Sequence, residues 1–210
     1  MRVIAIDGPA GSGKSTVARA LARHLGMPYL DTGAMYRAVA FAALARGVEP
    51  DDIDAVADIA RTSIIEVDDQ EVRVDGVDVA IEIRGPEVTR AVGAVAANPQ
   101  VRAELREQQR EWARRRGGGV MEGRDIGTVV FPDAVLKVYL TAEPPVRAAR
   151  RAQEVRDLDY HTVAADIARR DALDQSRTHD PLTEAPDAII IDTTDLSIDD
   201  VVAQLADLVP

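Results

Sequence analysis

Residues 8–15 constrain the fold of this chain more than any other stretch, because they form a glycine-rich loop between two segments of different character. Val3–Ile6 is a short apolar run typical of a buried strand, and Lys14–Leu25 carries apolar residues at helical spacing. The loop reads Gly-Pro-Ala-Gly-Ser-Gly-Lys-Ser and matches the pattern G-x-x-x-x-G-K-[ST] in full. Glycines let the backbone curl so that its N–H groups point at phosphate oxygens, and the start of the helix adds a positive dipole end. The sequence therefore predicts a site for a nucleotide triphosphate.

Individual positions of the loop have separate expected roles. Lys14 can reach the β- and γ-phosphates and follow charge as it moves between them. The hydroxyl of Ser15 can hold Mg²⁺, which is the expected cofactor with ATP. Asp7 either only ends the preceding strand or takes part in the site. The predicted ATP-binding residues in this region are Gly8, Pro9, Ala10, Gly11, Ser12, Gly13, Lys14, Ser15 and Thr16.

Composition excludes several classes of protein. The net charge of -11 argues against broad binding of nucleic acid, because phosphate backbones attract Lys and Arg. The absence of Cys excludes disulfides and thiolate metal sites. No apolar run approaches the roughly 20 residues of a membrane span. We therefore expect a cytoplasmic protein that binds small nucleotides and neither nucleic acid nor membranes. With no long apolar stripe to suggest a dimer, we expect a monomer.

Apolar runs alternate with helical patterns along the chain, which indicates an α/β fold. We expect a central parallel five-stranded sheet covered by helices, with a core of Ala, Val, Ile and Leu because aromatic residues make up only 3%. Residues 63–84 differ, since short β-branched runs there are separated by Asp-Asp and Asp-Gly, as in small antiparallel hairpins. We interpret residues 1–210 as one unit that contains this β insert. The expected strands of the central sheet are Val3–Ile6, Pro28–Leu30, Val120–Glu122, Val135–Leu140 and Ile189–Ile191.

The phosphate loop alone is compatible with two kinds of reaction. A kinase would transfer phosphate to a second substrate, whereas a P-loop switch or motor would hydrolyse its nucleotide. A guanine-reading Asn-Lys-x-Asp motif is absent, because the only Asn is Asn98 and Pro99 follows it. A motor often ends an apolar strand in a Mg²⁺-holding Asp. Asp192 has that position but lies late in the chain, so it is either a metal residue or an ordinary strand end.

Arginines outside the loop could hold a second anion. Arg170, Asp174 and Arg177 have the spacing i, i+4 and i+7, which places them on one face of a helix. Arg147 and Arg151 are four residues apart. From spacing alone, these groups are either ion pairs on a helix surface or parts of an acceptor site.

Two longer segments make the chain similar to a known family. They are Leu30–Arg37, which reads LDTGAMYR, and Glu122–Asp133, which reads EGRDIGTVVFPD. With Ile6–Pro9, with Arg170, Asp174 and Arg177, and with the β insert, they resemble bacterial cytidylate (CMP) kinases over nearly the whole chain. The resemblance implies the fold of a P-loop kinase and the ATP-dependent phosphorylation of CMP, and of dCMP, by direct in-line transfer. A kinase for another acceptor such as UMP, or a hydrolytic P-loop switch, is the alternative.

The resemblance also implies roles for individual residues. Residues 63–84 would be the β-rich part of the segment that binds the nucleoside monophosphate, and residues 144–160 a short lid over ATP that includes Arg147, Arg150 and Arg151. Arg150 would then join the ATP-binding residues. The implied catalytic residues are Lys14, Arg124, Arg151 and Arg170. The implied acceptor-binding residues are Thr32, Arg37, Gly93, Arg102, Arg124, Asp125, Arg170, Asp174 and Arg177.

Within that set, Thr32, Arg102, Asp125 and Arg177 would surround the cytosine. Arg37 and Arg124 would clamp the acceptor phosphate, because guanidinium groups bind phosphate in a bidentate manner. Arg170 and Asp174 would meet the sugar. Gly93 stands where the family often has a sugar-contacting Ser, so the preference between ribose and deoxyribose stays open.

Overall fold

The computed structural model describes residues 1–69, 71–154 and 159–209. These residues form two compact units. The loop unit contains Met1–Tyr29 and the described residues from Gly117 onward, and the helical unit contains Leu30–Arg116.

The secondary structure follows the alternation expected from the sequence. The strands are β1 Arg2–Asp7, β2 Tyr29–Asp31, β3 Ile65–Val67, β4 Val72–Val74, β5 Val77–Asp78, β6 Gly118–Gly123, β7 Leu136–Thr141 and β8 Ile189–Asp192. The α-helices are α1 Lys14–Leu25, α2 Thr32–Ala45, α3 Ile53–Thr62, α4 Pro86–Ala97, α5 Pro99–Arg116, α6 Pro144–Glu154, α7 Tyr160–Gln175 and α8 Ile198–Leu208. A 3₁₀ turn spans Glu82–Arg84, and a π-helix spans Ile126–Val130.

The central sheet confirms the predicted fold class. Its five strands have the order β2-β6-β1-β7-β8, and the division between the units falls within β2, after Tyr29. β1 runs parallel to β6 and to β7, so that Asp7 lies opposite both Gly123 and Tyr139. Because parallel strands end at the same edge, this register brings the segments after β1, β6 and β7 together. The phosphate loop follows β1 at that edge.

The core of the loop unit consists mainly of aliphatic side chains, as the composition predicts. Ile4, Ile6, Leu21, Leu140 and Leu205 are fully buried and belong to one cluster. They come from the sheet and from α1 and α8. This packing fixes the strand before the phosphate loop and the helix after it.

The helical unit contains α2 to α5 and the predicted antiparallel insert, whose strands have the order β3-β4-β5. Ile65 pairs with Val74, and Val74 pairs with Val77 across the turn. Asp75 and Gly76 at this turn have φ angles of 52° and 81°. Two positive φ angles match the right-handed twist of the strands, which explains why Asp-Gly makes a tight hairpin here.

Capping aspartates mark the starts of two helices. The Asp31 carboxylate accepts a hydrogen bond from the Ala34 backbone N–H at 3.0 Å, and α2 starts at Thr32. The Asp159 carboxylate accepts from the Thr162 backbone N–H at 3.1 Å, and α7 starts at Tyr160. Such caps satisfy backbone donors that the first turn leaves without partners.

Each helix of the described ranges is too short or too polar to cross a bilayer.

Candidate active site

The phosphate loop lies between β1 and α1, as its motif predicts. Gly8 has a φ of 148°, and a Cβ atom there would lie 2.0 Å from the Leu140 carbonyl oxygen of β7. Gly13 is the N-cap of α1 with a φ of 87°, a left-handed conformation that favours glycine. The first turn of α1 carries no acidic residue, so the positive end of its dipole is not neutralised locally. The loop is therefore suited to bind an anion.

Lys14 is buried, and its Nζ donates a hydrogen bond to the Pro9 carbonyl oxygen at 2.7 Å. Burial, followed by the positive charge of Arg124, lowers the pKa of Lys14 to about 7, although the charges of Glu122 and Asp7 oppose this fall. The negative charge near Lys14 therefore does not compensate for its burial. The phosphates of a bound nucleotide would add to that charge.

Ser15 and Tyr29 share one acceptor, which sequence reasoning missed. The Ser15 hydroxyl donates to Glu122 Oε2 at 2.9 Å, and the Tyr29 hydroxyl donates to Glu122 Oε1. Glu122 is buried near the end of β6, the strand that pairs with β1. A carboxylate at the carboxyl end of a buried apolar strand is a signal that could have identified it.

These oxygen donors suit magnesium chemically, because Mg²⁺ prefers hydroxyl, carboxylate and phosphate oxygens. Among the described residues, no cluster of three or more His, Cys, Asp or Glu side chains could hold a metal by itself. Ser15 with the neighbouring Glu122 therefore fits an ion that is also bound by substrate phosphates. Asp192, the other metal candidate, is exposed and accepts hydrogen bonds from the backbone N–H and hydroxyl of Thr194.

Asp7 has a clear structural role, one of the two roles that the sequence left open. It is buried at the end of β1, and its carboxylate accepts hydrogen bonds from the backbone N–H groups of Ile126 at 2.8 Å and Gly127 at 2.7 Å. Burial raises the pKa of Asp7 to about 6, although the two N–H donors oppose this rise.

Arg124 joins the phosphate loop to α7. Its Nε donates to Asp174 Oδ2 at 2.7 Å, and its Nη1 donates to the Gly8 carbonyl oxygen at 3.0 Å. Arg177 forms an ion pair with the other oxygen of Asp174. Burial would raise the pKa of Asp174, but the positive charges of Arg124 and Arg177 dominate and hold it below its usual value. The predicted residues Arg124, Asp174 and Arg177 therefore form one connected group.

The positive charges of the predicted catalytic residues act on Arg170 and on Lys14. Burial, followed by the charges of Arg124 and Arg151, lowers the pKa of Arg170 to about 10, with Asp174 opposing the effect. Arg124 and Arg170 likewise lower the pKa of Lys14. Among the described residues, the Arg170 guanidinium has no hydrogen-bond or ion-pair partner. Partly buried cations that repel one another favour the binding of a polyanion, because its negative charge relieves the repulsion.

The arginines of α6 have different surroundings. The Arg150 guanidinium donates to the hydroxyl and carbonyl oxygens of Thr193, and its Nη1 would lie 3.8 Å from a Cβ atom at Gly13. Arg147 is buried and donates to the carbonyl oxygens of Ala142 and Ala10, and it pairs with Asp171. Arg147 therefore supports the phosphate loop from within the protein. Residues 155–158 of the predicted lid lie outside the described residues.

The other predicted acceptor residues belong to the helical unit. Arg37 donates to the Ile83 carbonyl oxygen and to the Thr89 hydroxyl, both at 3.0 Å. Arg102 is buried, donates to the Ala96 carbonyl oxygen at 3.2 Å and lies 5.8 Å from the centre of the Tyr36 ring. Thr32 is buried at the start of α2.

Gly93 lies on an exposed part of α4, and no atom lies within 4 Å of the position a Cβ atom would take. A serine at position 93 would therefore fit without steric conflict.

Comparisons with known proteins show which family this chain resembles over its length. A sequence model of the cytidylate kinase family matches residues 4–210. The chain is 50% identical over 212 residues to a cytidylate kinase of Mycobacterium leprae (strain Br4923), covering 99% of this chain and 95% of that protein. It is also 50% identical over 211 residues to a cytidylate kinase of Rhodococcus opacus (strain B4), covering 97% of this chain and 92% of that protein.

Two solved structures share the fold. An uncharacterised protein of Eubacterium ventriosum has a TM-score of 0.54 and 15% identity, covering 100% of this chain and 98% of that one. A Thermus thermophilus protein has a TM-score of 0.51 and 21% identity, covering 99% of this chain and 96% of that one. At these identities the likeness concerns the fold alone.

Proposed function

The chain belongs to the cytidylate kinase family. We propose that its four predicted catalytic residues stabilise the direct transfer of the γ-phosphoryl group from ATP to CMP. The enzyme is a nucleoside monophosphate kinase, and its reaction is the ATP-dependent phosphorylation of CMP. We propose that dCMP is a second acceptor. The observation that carries the mechanism is the hydrogen bond from Arg124 to the Gly8 carbonyl oxygen, which holds a guanidinium against the phosphate loop. The charge of Arg124 acts on both Lys14 and Arg170.

On the donor side, the loop from Gly8 to Thr16 binds the phosphates of ATP, with Arg150 beside Gly13. The Ser15 hydroxyl, next to Glu122, holds Mg²⁺. When bound, the ion neutralises phosphate charge and orients the donor. Lys14 follows the charge that develops on the transferred group, and its low pKa in the nucleotide-free protein rises when phosphate approaches.

On the acceptor side, Arg37 and Arg124 bind the phosphate of CMP. Thr32, Arg102, Asp125 and Arg177 recognise cytosine, with the Asp125 carboxylate accepting from the exocyclic amine. Arg170 and Asp174 contact the sugar, and position 93 lies near it. Residues 63–84 and 144–160 serve as the monophosphate-binding insert and the lid within a single kinase unit.

The transfer needs positioning and charge neutralisation more than a strong base. Phosphoryl transfer passes through a loose transition state with charge spread over the equatorial oxygens. Arg124 is fixed by Asp174 and by the Gly8 carbonyl oxygen, so little reorganisation is needed when the charge develops. We propose in-line transfer without a phosphoenzyme, with lid closure excluding water. We also propose that the enzyme acts as a cytoplasmic monomer on nucleotides alone.

An acceptor panel tests this proposal. Purified enzyme with Mg²⁺ and ATP is assayed for ADP release with CMP, dCMP, UMP or no acceptor. We expect rapid release with CMP, measurable release with dCMP, weaker release with UMP and almost none without acceptor. Equal release with and without CMP would indicate a hydrolytic switch, and a higher rate with UMP than with CMP would indicate another acceptor. The family match favours neither alternative.

A further inference from the structure

Asp7 holds the start of the segment that follows two predicted acceptor residues. Its two carboxylate oxygens accept from different backbone donors, Oδ1 from the Ile126 N–H and Oδ2 from the Gly127 N–H. Arg124 and Asp125 immediately precede these donors in the chain. The contacts join the end of β1 to residues 119 and 120 positions later.

The π-helix from Ile126 to Val130 depends on an outside acceptor. Its i to i−5 hydrogen bonds run from the Val130 N–H to the Asp125 carbonyl oxygen at 3.2 Å and from the Phe131 N–H to the Ile126 carbonyl oxygen at 2.7 Å. The Val129 N–H also donates to the Asp125 carbonyl oxygen, at 2.9 Å. The wide i to i−5 spacing leaves the first N–H groups without a partner inside the helix. Asp7 supplies partners for the N–H groups of Ile126 and Gly127.

Close packing limits alternative positions for this segment. A Cβ atom at Gly127 would lie 3.2 Å from Cγ and 3.3 Å from Cδ of Lys137, and 3.4 Å from Oδ2 of Asp7. The Lys137 side chain is buried on β7, and its Nζ is paired with Asp187 at 2.9 Å. The backbone at Gly127 is therefore confined between the side chains of β1 and β7.

We propose that Asp7 is a positioning residue for the acceptor site, because its carboxylate fixes the backbone from which Asp125 and Arg124 project. This inference rests on the proposed roles of Asp125 and Arg124 in binding CMP. In the proposed site, Asp7 itself contacts neither the transferred phosphoryl group nor the phosphate of CMP. Its effect passes through the hydrogen bonds to Ile126 and Gly127.

Charged and titratable groups from three neighbouring segments lie near Asp7. Lys14 of α1 favours its ionised form, whereas Asp125 disfavours it. Tyr139 and Lys137 lie on β7, with Tyr139 opposite Asp7 in the register. With a pKa of about 6, Asp7 is ionised at neutral pH, and protonation replaces one acceptor by an O–H that faces a backbone donor.

The variant Asp7→Asn tests the role directly, since its amide offers one acceptor for two N–H donors. We expect kcat/KM for CMP to fall at least about tenfold, because small misplacements of positioned groups are costly in catalysis. Binding of an ATP analogue without acceptor should not weaken. Asp52→Asn is the matched control, because Asp52 is an exposed carboxylate that caps α3 by accepting from the Ala55 N–H at 3.1 Å. It should keep normal kinetics.

Different outcomes separate this inference from the proposed function. Wild-type enzyme that forms no CDP would overturn the proposed function and the role of Asp7 with it. Active wild-type enzyme with unchanged CMP kinetics in Asp7→Asn would overturn the role of Asp7 alone. Equal losses of CMP use and ATP-analogue binding would indicate general structural damage and would also overturn it.

A second variant and a spectroscopic measurement cover the case in which Asp7→Asn does not fold. Gly127→Ala crowds the same contact and should lower kcat/KM for CMP more than it lowers ATP-analogue binding. In nucleotide-free wild-type protein, the amide NMR signals of Ile126 and Gly127 should shift together near pH 6. Avoiding nucleotide matters because a phosphate monoester also titrates near pH 6. Amide signals that stay constant through this range, or an unimpaired Gly127→Ala enzyme, would contradict the inference.

Discussion

The Arg124 guanidinium and the Asp174 carboxylate are joined by a hydrogen bond of 2.7 Å between Nε and Oδ2. Both side chains are largely buried, and a second arginine, Arg177, neutralises the other oxygen of Asp174. This connection fixes the guanidinium that also contacts the Gly8 carbonyl oxygen of the phosphate loop. Stability and the proposed phosphate binding therefore depend on the same pair.

Asp174→Asn should destabilise the protein at neutral pH. Removing one partner of a buried pair leaves Arg124 and Arg177 without their counter-charge, at a cost of about 3 kcal/mol. Because the pKa of Asp174 is lower in the folded state, its contribution is present at pH 7 and is lost as the pH falls below about 4. Urea unfolding of wild type and variant should therefore differ strongly at pH 7 and less at about pH 3.

Asp166→Asn is a suitable control for that measurement, because Asp166 lies on the same helix and forms a more exposed ion pair with Arg169. Asp166→Asn should lower the free energy of unfolding much less than Asp174→Asn does. A difference for Asp174→Asn that grows as the solution becomes more acidic would contradict the assigned charge state.

Lys14→Met should lower kcat at least about 100-fold, because it removes a charge that acts on the transferred phosphoryl group. The only other lysine, Lys137, provides the control, since Lys137→Met removes the same charge from a side chain paired with Asp187. We expect the control to keep kcat within about threefold. Steady-state kinetics with CMP give kcat for both variants. Comparable kcat values for Lys14→Met and Lys137→Met would contradict the catalytic role of Lys14.

The low pKa of Lys14 predicts a pH-dependent stability. The folded pKa of about 7 lies below the unfolded value, so the unfolded chain binds more protons between about pH 7 and 10. This group therefore makes nucleotide-free wild type more stable as the pH rises through that range. The difference in unfolding free energy between wild type and Lys14→Met should change with pH in this direction. A pH-independent difference would mean that Lys14 keeps its ordinary pKa.

Asp125→Asn should raise KM for CMP by about 10- to 100-fold, as expected for the loss of a hydrogen bond to a charged acceptor. ATP-analogue binding should stay nearly constant. Asp133→Asn is the control, because Asp133 is exposed eight positions later in the same segment. Unchanged CMP kinetics in Asp125→Asn would show that cytosine is recognised elsewhere.

Gly93→Ser should raise kcat/KM for the acceptor by roughly 2- to 10-fold if its hydroxyl reaches the sugar, as one added hydrogen bond would. The site has room for a Cβ atom, so steric conflict should not obscure the effect. Gly93→Ala controls for the gain in helix stability that any replacement of glycine brings. Equal kinetics of the serine and alanine variants with both CMP and dCMP would place position 93 away from the sugar.

Much of the fold could be predicted because local patterns and tertiary structure agree. α1 begins and ends at the predicted residues, Lys14–Leu25. The glycine before its start and its helical spacing of apolar residues indicate the same boundaries. The Asp-Gly hairpin between β4 and β5 is another local signal that the structure follows.

The features that the sequence did not reveal depend on contacts between distant residues. The π-helix after Asp125 follows no local periodicity and is held by Asp7. Arg147 has the same spacing as a surface arginine, yet it is buried because Asp171 and the Ala10 carbonyl oxygen provide its partners. Glu122 contacts Ser15 because β6 pairs with β1, a pairing between segments more than 100 residues apart.

The most direct test of the account is a ³¹P NMR measurement of the products formed by wild-type enzyme from MgATP and CMP. Direct transfer between two bound nucleotides predicts one CDP for each ADP and almost no inorganic phosphate. Release of inorganic phosphate with ADP, without formation of CDP, would contradict it.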